Sequence, residues 1–200
     1  GEIVVLHVED KQEEISVGEQ KVADIVNKVN SEYNIPTAGK TVQGNIFEDI
    51  GNVEVFIASG GAQGGLMLAS NSLNLPWNIT GILVGTPEES FADVVTWSNN
   101  ALNHLGFSER LTWNDVIQLD NYIGPGYAIP SEPCIEAIRM VAELEGIILD
   151  PIYTGKVMAA IIDHARNNKF KEDDTVLFMH TGGLPELFNF ADELKRRDYK

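Results

Sequence analysis

Two hundred residues with a net charge of −16 and 44% hydrophobic content make one domain with a real core and argue against disorder. An acidic surface repels phosphate backbones and anionic lipid, so nucleic acid and membranes are poor partners, and no apolar run approaches the ~20 residues of a membrane span. The acidic start lacks the features of a signal peptide, and the single cysteine, Cys134, fits a reducing compartment, so a cytoplasmic setting is expected.

Residues 3–8, IVVLHV, read as a strand, with His7 as a structural histidine. A helix is predicted over 18–33, because Val22, Ile25, Val26, Val29 and Tyr33 recur at helical spacing, and Pro36 ends it. Ala38-Gly-Lys-Thr41 resembles the tail of a phosphate-binding P-loop, but the glycine that motif needs is replaced by Asn34. Residues 53–58, VEVFIA, form the next strand. It opens into Ser59, Gly60, Gly61, Ala62, Gln63, Gly64 and Gly65, then a short helix over 66–71. Convergent glycine amides and a following helix N-terminus suit an anion, so this loop is the candidate phosphate site, with a plain glycine-rich turn as the alternative.

A third strand is expected over 79–84. The helix after it starts at Thr86-Pro87, turns Phe91, Val94, Val95, Ser98, Leu102 and Leu105 inward, and stops at Gly106. A short strand over 116–119 leads into Asn121-Tyr-Ile-Gly-Pro-Gly-Tyr127. The helix over 133–145 is capped by Ser131 and closed by Gly146, with Ile135, Ile138, Ala142 and Leu144 inward. Cys134 in its first turn is read as inert, having no His or Asn beside it in sequence. Then come a strand over 147–149, the Asp-Pro-Ile-Tyr-Thr turn, a helix over 155–168 with Met158, Ile161, Ile162 and Ala165 inward, a strand over 175–179, and a helix over 185–197. The basic Lys195-Arg-Arg197 complements the dipole of that last helix.

Alternating strands and helices imply α/β: a mainly parallel sheet covered by helices on both faces, in one domain over 1–200. Scattered histidines and one cysteine offer no zinc spacing, so no metal is expected, and the position two before Ser59 is Ile57 rather than the glycine of a nucleophile elbow. What remains is Gly, Tyr and Thr on loops at strand ends, suited to a phosphorylated planar cofactor.

Gly124-Pro-Gly-Tyr-Ala-Ile-Pro-Ser-Glu132, Asp150-Pro-Ile-Tyr-Thr-Gly-Lys156 and His180-Thr-Gly-Gly-Leu-Pro185 resemble, segment after segment, the D-cysteine desulfhydrase and 1-aminocyclopropane-1-carboxylate deaminase family of pyridoxal-phosphate enzymes. The likeness is specific from about Asn121 to Phe190. It implies a tryptophan synthase beta-like cofactor domain without its front portion, and a lyase or deaminase of amino-acid metabolism that turns a small amino acid into a 2-oxo acid and ammonia. By position it makes Tyr127 and Tyr153 the catalytic phenols beside substrate, Ser59 to Gly65 the phosphate loop, and Thr181 a ring-side hydroxyl. Thr154, also placed at the cofactor, is the residue desulfhydrase-like members carry, where ring-opening members have an acid.

The lysine that holds the cofactor in this family has no counterpart here, since Lys40 and Lys156 stand in unlike contexts; Lys156, just inside a helix, reads as a surface or phosphate-facing cation. The resemblance therefore implies the C-terminal segment of a longer enzyme, completed by a lysine-bearing front domain or second subunit. The alternative is a catalytically inactive remnant acting as a binding or interaction domain. Pyridoxal phosphate is expected in the full enzyme and weakly or not at all in this chain alone. A homo-oligomer is expected, and self-association of the isolated chain through surface a front domain would cover.

Overall fold

The computed structural model describes residues 53–73, 75–86 and 94–195; the strand, helix and P-loop-like segment expected before residue 53 lie outside them, as do Phe91 and Lys40. At the centre is β1 (Val53–Ala58), flanked by β2 (Trp77–Ile82) and β4 (Thr175–Phe178), with β3 (Ile117–Leu119) beyond β2. All three pairings are parallel, as the alternation of strands and helices predicts.

The continuous apolar run of β1 follows from its burial on both faces. Val53, Val55 and Ile57 point into a core shared with Met67 and Val94. Phe56 and Ala58 point the other way, into one shared with Val157 and Ala160. Met67 belongs to α1 (Gly61–Leu73) and Val94 to α2 (Val94–Leu105), so these two helices cover one face. The opposite face is covered by α4 (Thr154–Arg166), and α3 (Glu132–Glu145) packs behind it through Cys134, Ile138, Val141 and Met158. The caps of α3 are those the sequence predicts: Ser131 Oγ accepts from Cys134 N at 3.3 Å, and Gly146 ends the helix at φ 69°.

Several expectations are corrected. The helix expected from Leu66 begins five residues earlier, at Gly61, because Gly60 at φ 128° makes the turn out of β1 almost alone. Gly64 is a packing residue inside α1: a Cβ there would lie 2.4 Å from Ser98 Oγ on α2. Residues 147–149 do not form a strand; one backbone group there and one just beyond are bonded to side chains instead. His180 Nε2 contacts Ile148 O at 2.8 Å, and Asp150 N donates to Thr154 Oγ1 at 2.8 Å. The expected last helix is a 3-10 turn over Leu184–Phe190 followed by the single turn α5 (Ala191–Leu194), with residues from 196 outside the description.

Both late helices are rotated from their predicted faces. On α3, Leu144 is 73% exposed, and Cys134, Ala137 and Val141 join Ile135 and Ile138 inside. On α4 the fully covered residues are Thr154, Lys156, Val157 and Ala160, while Ala165 is exposed. The cause is the position of α4 between the sheet and α3, which buries two sides of its first turns.

Candidate active site

In a parallel sheet the C-terminal strand ends share one edge, and that is where α/β enzymes place their reactive groups. Here the edge carries Ser59 and Gly60 after β1, Leu83 and Val84 after β2, the 120–127 loop after β3, and residues 179–183 after β4. The ladder continues past the strands: Ser59 N donates to Ile82 O at 2.8 Å, Leu83 N to Leu119 O at 2.9 Å and Met179 N to Phe56 O at 3.0 Å. The edge is therefore held rigidly.

Two phenols meet at this edge. Tyr127 and Tyr153 share a hydrogen bond between their hydroxyls, and their rings stand edge to face with centroids 6.2 Å apart. Tyr153 precedes α4 and its ring packs against the core that contains Ala58 and Ile82. Tyr127 is 41% exposed, at the tip of the loop. The bond from Tyr127, with burial adding to it, pushes the Tyr153 phenol up to about 12. It stays protonated at neutral pH, and either hydroxyl can donate to the other.

Asp150 fixes where Tyr153 stands. Its carboxylate is fully buried and accepts from Ile152 N, Tyr153 N and Thr154 N, all at 2.8 Å, and from Thr154 Oγ1 at 2.6 Å. An Asp side chain turned back on the next amides is the usual way such a turn closes, and here the carboxylate also sits at the positive end of α4. Gly183 seats the neighbouring turn on this one, since a Cβ there would lie 2.5 Å from Asp150 Cγ. Thr181, two residues earlier, is exposed.

The structure thus gathers Tyr127, Tyr153, Thr154 and the turn bearing Thr181. Thr154 lies inside: it has no exposed surface, and its hydroxyl both donates to and accepts from Asp150. Among Ser59 to Gly65, Gly61 and Ala62 are exposed on the first turn of α1, whose leading amides have no intrahelical partner. Ser59 Oγ accepts from Gln118 Nε2. Gln63 is turned inward, donating to Ile117 O at 2.9 Å, and Gly64 N is bonded to Gly60 O at 3.0 Å.

Three residues at this edge were not among the sequence candidates. Gln118 could not be found from its surroundings in sequence. Asp150 has a signal, an Asp-Pro before a helix. Lys156, read as a surface or phosphate-facing cation, is instead fully buried and donates to Val84 O at 2.8 Å, Ile123 O at 2.7 Å and Gly126 O at 3.0 Å. The Cys134 thiol is pushed up to about 12, chiefly by burial, and donates to Pro151 O at 3.4 Å. That is the inert state expected for it, with burial outweighing the helix dipole.

A parallel sheet with paired phenols and a helix N-terminus on its C-terminal edge is an α/β arrangement that gathers polar groups where such sheets bind ligands. The chain belongs to the pyridoxal-phosphate dependent enzyme family, whose model matches residues 2–182. It is similar to a D-cysteine desulfhydrase of Klebsiella pneumoniae strain 342, 35% identical over 147 residues, which is 73% of this chain and 44% of that protein. The D-cysteine desulfhydrase of Klebsiella pneumoniae subsp. pneumoniae strain ATCC 700721 / MGH 78578 matches at 35% over 146 residues, 72% of this chain and 44% of the relative. Among solved structures, one described as the ACC deaminase homologue superposes with a TM-score of 0.60 at 26% identity, covering 88% of this chain and 50% of that one. The chain spans less than half the length of the curated relatives it matches.

Proposed function

We propose that this chain is the C-terminal segment of an enzyme that carries out pyridoxal-phosphate-dependent elimination or deamination of a small amino acid, with D-cysteine as its substrate class. The observation that carries the reading is the Tyr127–Tyr153 pair, standing at the sheet edge that also bears the exposed first turn of α1. Pyridoxal phosphate, when bound, draws electrons from the substrate Cα–H bond.

The residues present fit two parts of that task. The amides of Gly61 and Ala62 and their helix dipole suit the phosphate, with Ser59 Oγ beside them. Tyr153, a protonated phenol at neutral pH, serves as a proton donor beside the reacting carbon. Thr181 supplies an exposed hydroxyl across the turn, and Thr154 acts through Asp150 by fixing Tyr153.

The aldehyde end is different. Lys156 Nζ is enclosed by three carbonyls. Lys169 and Lys171 precede β4 and so belong to the opposite edge, and Lys195 pairs with Asp192. The amine for the cofactor therefore comes from outside the described residues, and because Lys40 stands in a context unlike that of the family's lysine, it is assigned to a front domain or second subunit. Such a segment would also cover exposed apolar groups such as Trp97 and Ile117, 42% and 49% exposed, so this chain alone self-associates.

The test is turnover of D-cysteine, followed as sulfide and pyruvate. Turnover is expected from a whole polypeptide that joins this chain to a lysine-bearing segment and not from residues 1–200 alone, and Tyr153→Phe in the whole enzyme lowers kcat by roughly 10²–10⁴-fold. A whole enzyme that binds the cofactor yet leaves D-cysteine intact overturns the substrate assignment. Full activity in the Tyr153→Phe variant overturns the site.

A further inference from the structure

We propose that Lys156 is the positioning residue of the phenol pair, its buried ammonium clamping the loop that carries Tyr127 against the end of β2, so that the Tyr127 hydroxyl meets that of Tyr153. An ammonium has three donors and no acceptor, and three carbonyls receive them: Val84 O beyond the end of β2, and Ile123 O and Gly126 O on either side of the Gly124-Pro125 turn. An uncompensated charge here would be costly. Three carbonyl dipoles and the nearby Asp150 carboxylate offset that cost; Cys134 packs close enough to feel both charges.

The loop needs such a clamp. Gly124 and Gly126 have φ of 72° and 158°, and Ala128, just after Tyr127, is held at φ 56°, a conformation that costs a residue with a Cβ roughly 1–2 kcal/mol. Left to itself, the chain would relax out of that shape and carry Tyr127 with it. A second anchor lies two turns along α4, where Tyr122 donates to Asp163 Oδ2 at 2.7 Å. That bond keeps the first half of the loop docked when the Lys156 bonds are lost, so removal of the ammonium frees the Tyr127 end in particular. One helix thereby sets both phenols, Tyr153 at its start and Tyr127 through Lys156 one turn inside.

The consequence for catalysis rests on the proposed function, but the geometry is read without cofactor or substrate. Lys156→Met keeps the apolar stem and deletes the donors. In protein labelled at the tyrosine ring carbon that bears the hydroxyl, Tyr153 is followed by nuclear magnetic resonance as pH rises, with Tyr127→Phe as reference and circular dichroism as the check on folding. In the parent the Tyr153 phenol is held above the free-phenol value, first by the Tyr127 hydroxyl and then by burial. Folded Lys156→Met is expected to titrate below the parent by the part that the Tyr127 hydroxyl contributes, matching Tyr127→Phe, while the part due to burial stays. A role confined to stability would lower the melting temperature and leave that titration at the parent value, and this result overturns the proposal. Should Lys156→Met not fold, Lys156→Gln is titrated in its place. Its shorter uncharged donor cannot span all three carbonyls, so a lowered midpoint supports the clamp and an unchanged one overturns it. Loss of D-cysteine turnover is no part of this readout, so failure of the clamp and failure of the proposed activity are distinguishable.

Discussion

At the scale of single residues, buried polar side chains hold this site more than the exposed ones do. Asp150 and Thr154 bond to each other and to the amides that start α4, and neither has exposed surface. Thr154→Val keeps the shape but leaves the amide of Asp150 without its acceptor and takes one donor from a buried carboxylate. Urea unfolding should show a loss of about 2–3 kcal/mol, and Thr154→Ser should recover most of it. Equal stability of the Val variant and the parent would mean that the Asp150 turn is held some other way. The pattern was partly legible, since Asp-Pro-Ile-Tyr-Thr marks a turn before a helix. The sequence did not tell which of Tyr153 and Thr154 points outward. A turn residue's direction is set by the bonds it closes, and those become visible only once Asp150 Oδ1 and Oδ2 have found their donors.

At the scale of elements, the parallel strands were readable because β1 is apolar along its whole length and buried on both sides. The caps of α3 were readable because Ser131 and Gly146 act locally. The starts and faces of helices were less so. Glycines suggested a loop through Gly65, whereas Gly64 is small because α1 and α2 cross closely there. Ser98 Oγ, facing Gly64, is buried without a hydrogen-bond partner among the described residues. Gly64→Ala should therefore cost about 1–3 kcal/mol by overpacking. In a Ser98→Ala background most of that cost should vanish, because the added methyl would then meet only atoms at 3.6 Å and beyond. A double-mutant cycle measured by thermal unfolding gives the coupling, and simple additivity would refute the close contact. Lys156 was misread for a similar reason. Lysine near a helix start is most often exposed, and its three acceptors, Val84, Ile123 and Gly126, lie 30 or more residues away in sequence.

At the scale of the whole molecule, the chain supplies a sheet edge with phenols and a helix N-terminus but no lysine suitably placed among the described residues. It matches less than half the length of the D-cysteine desulfhydrases it resembles. The proposed function divides the labour: phosphate and proton handling here, the cofactor's amine elsewhere. It is tested most directly by borohydride reduction of the whole cofactor-loaded enzyme followed by peptide mapping. The account predicts one pyridoxyl-lysine in a peptide outside the residues described here, with Lys156 unmodified. A stoichiometric pyridoxyl group on Lys156 would contradict it, because that amine would then have to leave its three carbonyls and stand at the sheet edge as the cofactor's own anchor.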